Sequence, residues 1–65
     1  MKLSDVCGLL RQTIKGKQEY LQQMKLHPGY PGSVPETTLT VVRMLEINIA
    51  ELERILADLE RCDQL

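Results

Sequence analysis

Few residues in this 65-residue sequence are of the types that carry out catalysis or bind metal ions. The soft metal ligands are His27, Cys7 and Cys62, and their spacing matches neither a C-x-x-C nor an H-x-x-x-H motif. A structural zinc site uses about four such ligands. The sequence also has no Ser/His/Asp or Cys/His constellation and no glycine-rich phosphate loop preceded by a strand. We therefore predict no metal, no cofactor and no enzymatic activity.

One segment, HPGYPGS at residues 27–33, contains side chains suited to binding a small anion. It combines the imidazole of His27, the phenol of Tyr30 and flexible glycines just before a predicted helix. The N-terminus of a helix binds anions through its free N–H groups and its dipole. If the loop binds a ligand, we expect Lys25, His27, Tyr30 and Ser33 to contact it. The competing interpretation is a turn in which Tyr30 packs over the end of the fold.

Two predicted helices flank this loop. Helix 1 is predicted from about Ser4, its N-cap, to Leu26, and helix 2 from about Val34 to Cys62. The S-x-x-E motif that begins at Ser33 predicts a capping box at the start of helix 2. Helices joined by so short a loop usually pack antiparallel. The predicted fold is therefore all-α, with a single helical hairpin.

Each helix carries a heptad seam, in which apolar residues follow alternating steps of three and four. Lys17 interrupts the first seam, and it either sets register and oligomeric state or extends to solvent at the edge. A further row of residues widens each apolar face. The seams are Leu3, Cys7, Leu10, Ile14, Lys17, Leu21 and Met24, and Val42, Leu45, Ile49, Leu52, Leu56 and Leu59; the further rows are Val6, Leu9, Thr13, Gly16 and Tyr20, and Val41, Ile55 and Cys62.

The charge pattern favours pairing of the two helices and limits the partners. Helix 1 is mainly basic and helix 2 mainly acidic, while the whole chain has a formal charge of −1. Nucleic-acid binding needs a net basic surface, so we expect no nucleic-acid partner. The N-terminal sequence MKLSDVCGLL resembles neither a signal peptide nor a membrane span. We therefore expect a cytoplasmic protein that does not bind membranes.

A hairpin of this size is predicted to need a partner, because a domain of about 60 residues buries only about 60% of its unfolded surface. If the turn is centred near Tyr30, then Leu59, Cys62 and Leu65 extend beyond helix 1 by roughly one to two turns. The same register places Cys7 on the order of 13 Å from the level of Cys62, which is too far for a disulfide. We therefore predict a helical-bundle homo-oligomer. Its predicted interface residues are Leu45, Ile47, Ile49, Leu52, Leu56, Leu59 and Cys62.

Three of the residues outside the seams have two interpretations each. Gly8 and Gly16 lie inside helix 1, where each costs about 1 kcal/mol relative to alanine. They are either tolerated there or allow another helix backbone to approach closely. Ile47 lies opposite the seam of helix 2, either as a stray exposed side chain or as part of a contact surface.

The helix–loop–helix layout and the segment Leu45–Ala57 resemble phage-encoded sponges that sequester the cyclic nucleotides of bacterial immunity. The resemblance covers about a fifth of the chain. It implies an anti-defence protein, a compact helical oligomer that binds a nucleotide signal between subunits in a phage-infected bacterium. The residues themselves favour a different function, a non-enzymatic and self-associating interaction module that acts as an adaptor or inhibitor through a helical face.

Overall fold

The computed structural model describes residues 2–63, which form two antiparallel α-helices, α1 (Leu3–Lys25) and α2 (Glu36–Asp63). They pack side by side in a hairpin of 48 × 15 × 14 Å, and residues 2–63 contain no β-strand. The predicted all-α hairpin is therefore confirmed. Its assembly into a bundle of several copies stays a prediction.

The heptad seams form the contact between the two helices. Cys7 and Ile14 of α1 and Val42 and Ile49 of α2 are buried between the two helices, and each of the four is at most 6% exposed. All other predicted seam residues are half-buried, including Lys17. Periodicity therefore identified the core correctly. That core is small, because two helices can bury only one stripe of each other.

The N-terminus of α1 is capped by a different residue from the one predicted. The Lys2 backbone is extended, and its N–H donates to Oδ2 of Asp5 at 3.3 Å. Ser4 therefore lies inside the first turn, and its prediction as the N-cap is wrong. The Asp5 carboxylate also lies near the positive end of the helix dipole, which is a favourable position for a negative charge.

The loop at residues 26–35 contains two successive turns. The Tyr30 N–H donates to the His27 carbonyl oxygen at 3.0 Å, and the Ser33 N–H donates to the Gly29 carbonyl oxygen at 2.6 Å. Gly29 has a φ of +90°, and a Cβ there would lie 2.9 Å from Cβ of Ser33. The second turn therefore requires glycine at this position.

The start of α2 lies two residues later than predicted. The carbonyl oxygen of Pro35 accepts the first helical hydrogen bonds, from Thr38 N at 3.0 Å and Leu39 N at 3.4 Å. The predicted capping box at Ser33 is wrong because the proline at position 35 disfavours the α conformation at Val34. Ser33 therefore belongs to the loop and not to the helix terminus.

The two helices are also offset from the predicted register. Arg11 forms an ion pair with Glu60, and Lys25 Nζ lies 3.3 Å from Oε2 of Glu46. A turn centred on Tyr30 would place Glu60 about 16 Å along the axis from the level of Arg11, farther than the two side chains can span. The first turn of α2 instead lies beside the loop, where Thr38 and His27 line one cavity.

This register removes two expectations. Leu59 is half-buried beside Glu60, which reaches α1, so the predicted overhang is wrong for Leu59; Leu65 lies outside the described residues. Cys7 and Cys62 are both free, as predicted, but the predicted reason is wrong because both lie toward the same end of the hairpin. The two side chains point in different directions, since Cys7 is 3% exposed in the core and Cys62 is exposed at the surface.

Candidate functional site

The hairpin has two long edges that differ in chemistry. One edge, termed the ion-pair edge, consists of Arg11 and Lys25 of α1 and Glu46 and Glu60 of α2, paired across the helices. On each helix the paired residues are two heptads apart, so they lie on one stripe. Their side chains are 41–55% exposed, so the pairs contribute little energy and mainly favour orientation. The predicted pairing of a basic with an acidic helix is confirmed within the chain.

The opposite edge contains an open groove of about 350 Å³ between the helices. Lys17 lines it from α1, and Val41, Met44, Leu45 and Asn48 line it from α2. The groove places Lys17 of the α1 seam on the same side of the hairpin as Val41, which belongs to the row predicted to flank the α2 seam. Side chains of both helices are therefore needed to form this surface.

Helical spacing extends this surface along the hairpin. Thr13 and Tyr20 lie one turn to either side of Lys17, and Ile55 lies two turns after Asn48, on the stripe of Val41. The large apolar side chains here are exposed, from 39% for Val41 to 63% for Met44. We term this surface the apolar edge, which consists of Thr13, Lys17, Tyr20, Val41, Met44, Asn48 and Ile55.

The predicted interface residues of α2 are divided by the structure among three environments. Ile49 belongs to the core of the hairpin itself, at 5% exposed. Cys62 is exposed and follows Ile55 by two turns, whereas Ile47 is 60% exposed and lies off the apolar edge. The remaining four are half-buried beside the core: Leu45, Leu52, Leu56 and Leu59.

Met44 is an exposed apolar residue that the sequence prediction missed. It lies three residues after Val41 and four before Asn48, so the periodicity that identified Val41 and Ile55 would also have identified it. Gly8 and Gly16 have space around them, since a Cβ at either position would meet nothing within 4 Å. Close approach of α2 therefore does not explain these two glycines.

The structure places the four predicted ligand residues of the loop in different local surroundings. Lys25 pairs with Glu46, and Tyr30 is half-buried. His27 Nδ1 lies 2.8 Å from the Pro28 carbonyl oxygen, and Ser33 is held through its backbone N–H. A cavity of about 190 Å³ beside the loop is lined by His27 together with Met24, Val34, Pro35 and Thr38.

Other kinds of site find no support in the described part of the chain. Among residues 2–63, no cluster of three His, Cys, Asp or Glu side chains could hold a metal ion. Neither helix there has a stretch of the length and apolarity needed to cross a membrane. Comparison of the chain with protein families, curated proteins and solved structures finds no match. The apolar edge is thus the surface on which a functional argument can be based.

Proposed function

We propose that this protein is a non-enzymatic, self-associating interaction module that acts through a helical face. The observation that carries the proposal is the amount of surface that the hairpin leaves exposed. Its accessible surface is 5126 Å². A compact monomer of 7.4 kDa is expected to expose about 4,200 Å². The hairpin therefore exposes about 900 Å² more than a compact monomer of its mass.

The composition of the core supports the same proposal. Among residues 2–62, the four buried residues named above form a small core, and none of the four is aromatic. Small domains usually add a disulfide, a metal or a partner chain. Both cysteines are free, and residues 2–63 hold no metal cluster, which leaves a partner chain.

Sedimentation velocity at low micromolar concentration tests self-association. We expect a mass that is a multiple of 7.4 kDa. We also expect a melting temperature that rises with protein concentration, because association stabilises the folded state by mass action. A well-folded monomer whose melting temperature is independent of concentration would contradict the proposal.

The nucleotide-sponge alternative stays a prediction, and the arrangement of Lys25, His27, Tyr30 and Ser33 gives it no added support. A panel of nucleotides at micromolar concentration separates it from the proposed function. A sponge gains thermal stability from its ligand, whereas a pure interaction module does not. Replacing both His27 and Tyr30 by alanine would abolish that gain if the loop is the binding site.

A further inference from the structure

Four of the seven large apolar side chains that are exposed in the described part of the chain belong to the apolar edge. They are Tyr20 of α1 and Val41, Met44 and Ile55 of α2, whereas Leu9, Leu26 and Ile47 lie elsewhere on the surface. Lys17, half-buried, is the charged side chain that lines the groove, and the exposed Glu51 lies beside Ile55 on the outer row that contains Met44. The opposite edge carries the cross-helix ion pairs. The hairpin is therefore amphipathic as a whole, and its apolar surface spans both helices.

The amount of surface points to a second copy of the same chain. A standard stable interface removes about 800 Å² from each partner, and the excess of about 900 Å² noted above, which belongs to the whole elongated hairpin, is large enough to supply that area. A two-fold pair of hairpins would form a four-helix bundle, in which both apolar edges are buried against each other. The formal charge of −1 also produces little repulsion between copies.

The shape of the apolar edge suits pairing with itself. A two-fold interface requires one surface to carry both the recesses and the projections that fill them. The groove lined by Lys17 and Asn48 supplies a recess. Tyr20, 54% exposed, lies outside the groove lining and supplies a projection, and Met44, 63% exposed, projects from the wall of the groove itself. The same surface therefore contains both parts of a self-complementary contact.

We propose that the apolar edge is a two-fold interface with a second copy of this chain, and that Lys17 restricts the number of copies that assemble. This inference rests on the proposed self-association and names the surface that performs it. A polar residue within an apolar seam restricts register and oligomeric state and lowers stability. Lys17 interrupts the seam of α1 and lines the groove, so it is positioned for that role.

A matched pair of substitutions on α2 tests which surface associates. Ile55→Glu places a charge on the apolar edge, and Ile47→Glu makes the same change at a site that is similarly exposed but off that edge. We expect Ile55→Glu to raise the dimer dissociation constant at least about tenfold. Ile47→Glu should stay within about twofold of the wild type in sedimentation equilibrium.

A second matched pair of substitutions is expected to strengthen association. A gain of association cannot be mistaken for the effect of an unfolded variant. Lys17→Leu should lower the dissociation constant about tenfold or produce larger assemblies. Lys15→Leu, an exposed control on the same helix, should leave both unchanged. A Lys17 that only extends to solvent would make the two variants behave alike.

The possible outcomes separate the inference from the function on which it rests. If the wild type associates but the Ile55 and Ile47 variants weaken it equally, or not at all, the apolar edge is not the interface. If Lys17→Leu matches Lys15→Leu, the role given to Lys17 is wrong. If the wild type is a folded monomer, the proposed self-association itself fails.

Discussion

The ion-pair edge and the apolar edge flank the same core. Within a single hairpin, the charges of the first edge find partners, whereas the apolar side chains of the second edge stay exposed. On the ion-pair edge, Arg11 and Lys25 each find a carboxylate on the facing helix. On the apolar edge, Tyr20 and Met44 remain more than half exposed, and no facing side chain of the same hairpin covers them. Two helices can pair charges across their contact, but they cannot cover a second apolar stripe.

The two edges contribute differently to the orientation of the helices and to the free energy of folding. Exposed ion pairs contribute roughly 0–1 kcal/mol each, and they favour one arrangement of the helices over another. Burial of one large aliphatic side chain contributes about 1.5–3 kcal/mol. The ion-pair edge therefore orients the helices within the hairpin. The energy still available from burial lies on the apolar edge.

Substitution in the core should have the largest effect on stability, because the packing of the two helices there holds both edges in place. Ile49 is 5% exposed, so Ile49→Asp would bury a carboxylate without a partner. We expect loss of the cooperatively folded state, measured by circular dichroism at 222 nm. Ala50→Asp, at the exposed neighbouring position, is the control and should remain folded. A folded Ile49→Asp variant would show that the core is not where the seams meet.

The loop sets the register of the two helices and so the position of both edges. Substitution of Gly29, the loop residue with a positive φ, should therefore have the next largest effect. Gly29→Ala meets a φ of +90° and a Cβ contact of 2.9 Å with Ser33. We expect a loss of about 1–2 kcal/mol in the free energy of unfolding, measured by urea denaturation. Gly32→Ala is the control, since a Cβ there meets nothing within 4 Å. Equal effects at the two glycines would contradict a specific requirement at Gly29.

The glycines inside α1 test how closely another chain approaches the apolar edge. Gly16 lies one turn before Tyr20, and an added Cβ has space in the single hairpin. Gly16→Ala should therefore stabilise the protein by up to about 1 kcal/mol, through higher helix propensity. Thermal unfolding at two protein concentrations measures this effect. A loss that appears only at the higher concentration would instead indicate a helix of a second copy packed against Gly16.

The smallest expected effect is an addition to the ion-pair edge. Gln18 lies midway between Arg11 and Lys25, and Glu53 lies midway between Glu46 and Glu60. Gln18→Arg should therefore form a third cross-helix ion pair, worth about 0.2–1 kcal/mol and weakened by salt. Gln18→Met provides an uncharged control of similar length. If urea denaturation shows the same stability for both variants at low salt, position 18 does not form an ion pair with Glu53.

Local patterns in the sequence predicted the helices well and their ends less well. Every predicted seam residue, from Leu3 to Leu59, is buried or half-buried, because heptad spacing is a property of each helix alone. The predicted caps at Ser4 and Ser33 failed, because other groups supply the first hydrogen bonds. At Ser33 the restriction imposed by Pro35 on the preceding residue was the stronger signal.

The loop hypothesis shows a different limit of sequence reasoning. Lys25, His27, Tyr30 and Ser33 are close in sequence, but closeness in sequence does not determine where side chains point. Lys25 is oriented by a residue 21 positions away, Glu46, which the loop sequence does not contain. Ser33 is oriented by a turn whose geometry depends on Gly29. Convergence on a ligand therefore could not be predicted from the loop sequence alone.

By itself, the sequence determined two amphipathic helices, their seams and a flanking row beside each seam, because these depend on the 3.6-residue repeat of a single helix. Only the tertiary structure decided which residues of α1 face which residues of α2. The path of the loop at residues 26–35 sets the register, and the way the helices pack places Lys17 of the α1 seam on the same edge as Val41 of the α2 flanking row. A charged edge and an apolar edge are therefore properties of the pair of helices, which neither helix has alone.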